Sequence, residues 1–270
     1  MSVDQSHDSG NHSAAAAERL HFDLLVSREE IAQATGELSR RGLVEFGSAA
    51  SRSRPAAAMR RILGRTNLAP DPVKSWDVLK VLEALIETTA PGSPVLDLGS
   101  VACPVLPSLH SLGYNDLHGV DLNPRVRDMP FAGQIDYRMA DMNATPWPDG
   151  TFAAITAVSV IEHGFDQGAL LDEVARLLRP GGVFIFSTDY WPKKISTDNM
   201  RLFGLDWRIF SAAEIEELIL AARERGLHPM GEPSAVLNAP TPVSANGTPI
   251  SFAGRNYTFL YGALVRGQHY

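Results

Sequence analysis

Between Pro94 and Pro124 the chain reads as a short apolar run ending in Asp97-Leu98-Gly99, a turn, a helical stretch, and a second apolar run ending in Asp121. This is one strand–loop–helix–strand unit, and two strands joined through a helix lie side by side in a parallel sheet. The unit also sets a carboxylate at the tip of each strand. Asp121 follows Gly99 by about 20 residues, the spacing at which an acid reaches the ribose of a ligand lying over the carboxyl edge of the sheet. A carboxylate there accepts from both ribose hydroxyls and favours a nucleoside without a 2′-phosphate.

Beyond this unit the α/β pattern continues. Candidate strands are Val95–Leu98, Leu117–Asp121, Ile135–Ala140, Ala153–Ser159, Val183–Thr188, Leu227–Pro233 and Tyr257–Val265. Alternation with helices predicts a doubly wound sheet. Leu170, Leu171, Val174, Leu177 and Leu178 fall on one helical face, and Arg179-Pro180-Gly181-Gly182 is expected to stop that helix with a left-handed glycine. Ser211 and Glu214 form a capping-box pattern for a later helix, packed through Ile215, Leu218, Ile219 and Ala222. Ahead of the sheet, helices are expected from Ser27, over Pro55–Arg65 and over Val73–Thr88. The expected organisation is a disordered tail at 1–18, a helical segment at 19–92 and an α/β domain at 93–270. That domain carries loop insertions at 190–210 and 238–256, of the length used for lids and substrate-binding segments.

Composition narrows the function. Hydrophobic residues make up 44% of the chain, enough for a real core. A net charge of −7 lacks the broad basic surface of a nucleic-acid binder. No apolar stretch is long enough to span a membrane, and the first residues lack the basic-then-apolar order of a secretory signal. The single cysteine, Cys103, excludes an internal disulfide and fits a cytoplasmic location. The N-terminal helices suit either a lid or a homodimer contact.

Five motifs in order carry a resemblance: D-L-G after the first strand, G-V-D-L-N-P at the second, A-D-M at the third, the D-G-T-F-A-A-I-T-A-V-S-V-I-E-H run, and L-R-P-G-G. Together they resemble class I S-adenosylmethionine-dependent methyltransferases across roughly Val95–Arg266. The resemblance implies a Rossmann-like seven-stranded sheet with an antiparallel last strand, and S-adenosylmethionine as cofactor. It implies that Asp97, Gly99 and Ser100 meet the methionine portion and that Ser159 lies beneath it. It further implies that Asp121 holds the ribose, Leu122 packs on adenine, and Asp141 and Met142 contact the adenine edge. The first loop departs from the family pattern: Val101 and Pro104 stand where further glycines are usual. That loop argues against a dinucleotide, whose phosphates need the glycines. It leaves a non-catalytic scaffold open beside an enzyme.

Glu162-His163, just past the fourth strand, sits where an acceptor is expected. O-methylation gains from a base near the hydroxyl, and His163 is the candidate, with Glu162 beside it; a packing role stays open for the histidine. Glu162, Asp166 and Asp189 could supply oxygen ligands to Mg²⁺, or Asp166 and Asp189 could cap local structure. Tyr190, Trp191 and Trp207 in the first long loop suit the face of a sugar, so the expected acceptor is a sugar or oligosaccharide hydroxyl. Another small metabolite or a lipid-like acceptor is the alternative. Cys103 is read as packing.

Overall fold

The computed structural model describes residues 21–43, 71–243 and 247–268. The N-terminal tail and the helix expected over Pro55–Arg65 lie outside the described residues. A two-residue strand, β1 (Asp23–Leu24), precedes α1 (Arg28–Arg40) and α2 (Ser75–Thr88). Ser27 caps α1 by accepting the Glu30 N–H, as its sequence predicted. A 3-10 turn, Pro72–Lys74, leads into α2 and is capped in turn by Asp71.

The sheet follows from the apolar runs. β2 (Val95–Leu98), α3 (Val105–Ser111), β3 (Leu117–Asp121), β4 (Asp136–Met139), β5 (Phe152–Val158), α4 (Gln167–Leu177) and β6 (Leu178–Tyr190) supply its parallel part. A short hairpin of β7 (Arg201–Leu202) and β8 (Leu205–Asp206) then precedes α5 (Ala212–Arg223), β9 (Leu227–Pro229), α6 (Pro233–Leu237), β10 (Ile250–Phe252) and β11 (Arg255–Arg266). The strand order is β4-β3-β2-β5-β6-β11-β1, with β9 and β10 also paired to β11. β11 runs antiparallel to β6, the arrangement expected of the last strand.

Alternation within buried strands builds two layers. Val183 and Ile185 face the core that holds α1, α2 and α3, whereas Phe184 and Phe186 face α4 and α5. The N-terminal segment belongs to this fold rather than lying beside it: Phe22, Leu24 and Leu25 are buried in the two cores, and β1 pairs with β11. No described helix is long and apolar enough to cross a membrane.

Three local expectations change. α4 ends at Leu177 with Leu178 already extended, so Gly181 (φ +77°) lies in the opening turn of β6 and not in a helix cap. The expected strand Leu227–Pro233 stops at Pro229, because Pro233 instead opens α6. The segment 190–210 is partly ordered by the β7–β8 hairpin.

β11 passes so close to its neighbours that Gly262 has no room for a side chain. A Cβ there would lie 2.7 Å from Phe186 Cζ and 2.8 Å from Phe22 Cε1. Gly262→Ala is expected to cost about 1–3 kcal/mol by overpacking. Thermal melts should show a drop of roughly 2–4 °C per kcal/mol; an unchanged midpoint would mean that the two rings yield freely.

Candidate active site at the carboxyl edge of the sheet

Parallel strands bring their carboxyl ends to one edge, near which lie Asp97 in β2, Asp121 at the end of β3 and Ser159 just past β5. Asp97 lies one residue before the end of the buried strand β2 and is itself fully buried: Thr156 donates to its Oδ1 at 2.6 Å, while Oδ2 has no hydrogen-bond partner. Burial pushes its carboxyl up to about 6, against the pull of the Thr156 hydrogen bond. Cys103 is buried beside it, and burial together with the Asp97 charge raises its thiol far above the ordinary range. That is a packing role, not a nucleophile.

The first loop solves its shortage of glycines by straining an alanine. Gly99 has φ +73°, and a Cβ there would meet Val160 Cγ2 at 2.4 Å; Ala102 also takes a left-handed φ of 61°. Such a conformation costs a non-glycine residue on the order of 1 kcal/mol, and local hydrogen bonds offset it. The Val101 N–H donates to Asp121 Oδ2 at 3.0 Å, and the Ala102 N–H points at Met129 Sδ at 3.3 Å. Asp121 also accepts the Asn123 N–H on Oδ1 at 2.8 Å. Each of its oxygens therefore keeps a lone pair for a further donor. Next to it Leu122 is 62% exposed, an apolar surface at the strand tip that nothing among the described residues covers. At the tip of β4, Asp141 turns the chain by accepting the Asn143 N–H at 2.9 Å, with half-buried Met142 beside it. Ser100 is buried and donates to the Asp97 carbonyl at 2.7 Å, so its side chain serves the loop and not the open edge.

Beyond β5 the structure assembles a cluster that strand patterns did not reveal. Ser159 sits at φ +52° and accepts from Lys74 Nζ at 2.5 Å. It donates to Asp77 Oδ2 at 3.2 Å, and Ser187 donates to the same oxygen at 3.0 Å. Asp77 lies in the first turn of α2 and is fully buried; Lys74 comes from the 3-10 turn just before it, with its side chain 28% exposed. The ammonium stands 3.7 Å from Asp189 Oδ1 and 3.7 Å above the ring centre of Phe259. Burial pulls Lys74 down, but Asp189, Asp77 and Glu162 outweigh it and hold the lysine above its ordinary value. Lys74 therefore carries its charge.

Glu162 and His163 do not form a dyad. The Glu162 carboxyl turns inward, where Thr188 donates to Oε2 at 3.2 Å, and burial aided by the Asp189 charge pushes it up to about 8. His163 turns outward against Phe203, ring centres 5.5 Å apart, with its Nδ1 buried and unpartnered. Burial, with a smaller contribution from Lys74, lowers it to about 4. At neutral pH the histidine is neutral and the glutamic acid holds a proton.

Two expected groupings fail. Asp166 accepts the Ala169 N–H at 3.0 Å as the N-cap of α4, so it does not join Glu162 and Asp189. No three His, Cys, Asp or Glu among the described residues converge as metal ligands, and the residues do not fit the proposed Mg²⁺ site. Among the expected stacking rings, Tyr190 is fully buried in the core with Phe210, and Trp207 is 2% exposed. Trp207 spends its Nε1–H on Asp189 Oδ2 at 2.8 Å, so only Trp191, which is half-buried, can meet an acceptor without unpacking. The rim is instead apolar: Phe203 is 92%, Phe252 48% and Leu205 40% exposed.

Residues 96–186 match the family described as "Methyltransferase domain". The chain is 36% identical over 92 residues to a Mycolicibacterium smegmatis protein named "probable S-adenosylmethionine-dependent methyltransferase", covering 33% of this chain and 35% of that one. It is 32% identical over 125 residues to a ubiquinone biosynthesis O-methyltransferase of Xanthomonas campestris pv. campestris, covering 43% and 52%. The chain thus spans about a third to a half of the length of these curated relatives. In fold it is similar to a geranyl diphosphate methyltransferase solved with S-adenosylmethionine: TM-score 0.52, 19% identity, 80% of this chain and 92% of the other.

Proposed function

We propose that this chain, whose residues 96–186 form a methyltransferase domain of the class I S-adenosylmethionine-dependent type, moves a methyl group from that cofactor to a hydroxyl oxygen of a small-molecule acceptor. The observation that carries this reading is the placement of Asp97, Asp121 and Asp141 at the carboxyl edge of three neighbouring parallel strands. Asp121 takes the ribose hydroxyls on its free lone pairs, exposed Leu122 lies against the adenine, and Asp141 with Met142 borders its edge. Asp97, Gly99 and Ser100 shape the wall of the methionine portion above Ser159.

The sulfonium of the bound cofactor supplies an electrophilic methyl carbon, so the protein aligns the acceptor oxygen and receives its proton. Methyl transfer would break the S–CH₃ bond as the O–CH₃ bond forms, and the hydroxyl proton would pass to Glu162 in its ionised form, which is populated as pH rises toward about 8. Basicity favours Glu162: a carboxylate held near 8 accepts a proton far better than an imidazole held near 4. A second reading keeps His163 as base, favoured by its buried, unpartnered Nδ1 beside the apolar rim.

A saccharide acceptor rests on stacking rings, and two of the three are packed away. The open rim of Phe203, Leu205 and Phe252 favours a hydroxylated acceptor with an apolar body. A relative named for ubiquinone biosynthesis is in keeping with that class. The free, buried Cys103 suits a reducing cytoplasm.

Titration calorimetry with S-adenosylhomocysteine tests the cofactor site. Asp121→Ala is expected to weaken binding about 10- to 150-fold, the loss of charge-assisted hydrogen bonds. A wild-type protein that gives no heat at millimolar ligand would favour the non-catalytic scaffold.

A further inference from the structure

We infer that the β7–β8 hairpin and its neighbour, the β10–β11 hairpin, form an apolar, cation-flanked tip that docks this chain onto an anionic lipid surface. The inference goes beyond the methyl-transfer reading and needs no bound cofactor. Both hairpins stand past the carboxyl edge of the sheet, since β6 pairs with β11 only from Thr258 onward. Each closes through a two-residue turn, Phe203-Gly204 and Ala253-Gly254, with positive φ at both positions: 56° and 82° in the first, 50° and 72° in the second. Such turns favour Asn-Gly or Asp-Gly, and a bulky ring in the left-handed region is strained. The Phe203 ring meets His163 edge-on, 5.5 Å between centres, yet the residue is 92% exposed. That contact buries too little to account for a phenylalanine in a strained turn.

Apolar and basic residues surround it. Exposed Leu205 follows in β8, and exposed Phe252 ends β10 with its ring 5.9 Å from that of Trp207, the residue after β8. Arg255 ties the hairpins further by donating its Nε–H to the Ser196 carbonyl at 2.9 Å. Arg201 and Lys194 are paired with Asp206 and Glu214. Lys193, Arg208 and Arg255 have no carboxylate partner among the described residues, and against them stands one acid without a cation, Asp198, which accepts from Ser196. The tip is therefore positive on a chain of net charge −7, so an anionic surface attracts this end and repels the rest. At about 200 Å² for a whole large side chain, Phe203, Leu205 and Phe252 offer roughly 350 Å² of exposed apolar area. A stable protein partner needs about 800 Å² on each side, whereas a bilayer interface takes up protruding rings singly. Because Phe203 lies against His163, docking brings the proposed acceptor side of the site to the lipid.

Sedimentation of the full chain with vesicles, without cofactor, tests the proposal. At low salt the wild type is expected to bind vesicles of phosphatidylcholine mixed with phosphatidylglycerol at least about tenfold more tightly than phosphatidylcholine alone, and to be released as salt screens the cations. Phe203→Asn is expected to weaken that binding at least about tenfold, through loss of one buried ring. Its melting midpoint should hold or rise, because asparagine suits the turn better than phenylalanine does. Lys193→Gln with Arg208→Gln should lower affinity for the anionic vesicles about 25-fold, at about fivefold per cation, and leave the neutral vesicles within about twofold. A wild type that stays in solution with both vesicles, or that binds both equally, overturns the proposal. So does either variant binding as the wild type does, and so does sedimentation that needs no vesicles, the result of self-association. None of these outcomes bears on cofactor binding in the calorimeter, so the methyl-transfer reading stands or falls separately.

Discussion

Glu162→Gln is expected to abolish most methyl transfer and to make the protein harder to unfold in alkali. Glutamine keeps the shape and the Thr188 hydrogen bond but cannot take a proton from the acceptor. Loss of a positioned base typically removes 10²–10⁴ of rate, so turnover should fall at least about a hundredfold. Stability moves the other way because Glu162 is pushed from its ordinary 4.5 up to about 8 in the fold. The native state holds this proton to higher pH than the unfolded chain does. The stabilisation from protonated Glu162 is fully present below about 4.5 and is lost as pH rises through about 8. Glutamine mimics the protonated form throughout, so its advantage grows across that window and levels off above it. Melting curves at pH 5 and pH 9 measure the difference; equal midpoints at pH 9 would remove the claim that a buried charge is costly here. The wild-type rate should also climb with pH toward about 8. A rate already flat above pH 5, with His163→Ala inactive and Glu162→Gln active, would transfer the role of base to His163.

Asp77→Leu is expected to produce the largest loss of stability of any single substitution discussed. Asp77 is fully buried, accepts from Ser159 and Ser187, and balances the Lys74 charge. Its loss leaves the Ser159 and Ser187 hydroxyls without their acceptor and removes one of the carboxylates around Lys74, which keeps Asp189 at 3.7 Å; unsatisfied buried polar groups cost about 1–3 kcal/mol each, or about 3–5 kcal/mol in all. Partial exposure of Lys74 places the expected cost near the lower end. For a chain of this size that corresponds to a melting-point drop of roughly 6–12 °C. Lys74→Met combined with Asp77→Leu should recover part of the loss, since apolar replacements of similar volume satisfy each other. Additive losses would show that the two side chains do not depend on one another.

Strand tips were readable because a buried parallel strand is a run of apolar residues whose end is marked by the first polar side chain. Asp121 ends β3 as that rule puts it, whereas Asp97 is followed by buried Leu98 and Asp141 lies two residues past β4. Buried helical faces were readable for the same reason, in α2 and α4. The metal triad failed because Asp166 satisfies its local helix, a use that spacing to other acids cannot disclose. The stacking rings failed because an aromatic in a long loop shows the same letters whether it folds over the core, as Tyr190 does, or faces outward, as Phe203 does.

Lys74 and Asp77 mark the boundary between the two kinds of information. Nothing in a lysine three residues before an aspartate distinguishes it from a solvated helix start. Periodicity and turn chemistry by themselves determined the central parallel strands and the helices α1, α2, α4 and α5, because those depend on neighbours within one element. Only the tertiary structure decided which protons are held and which charges are paired. Glu162 keeps a proton and Lys74 keeps its charge because α2, β5, β6 and β11 close around them, and burial and electrostatic pairing act between elements far apart in the chain.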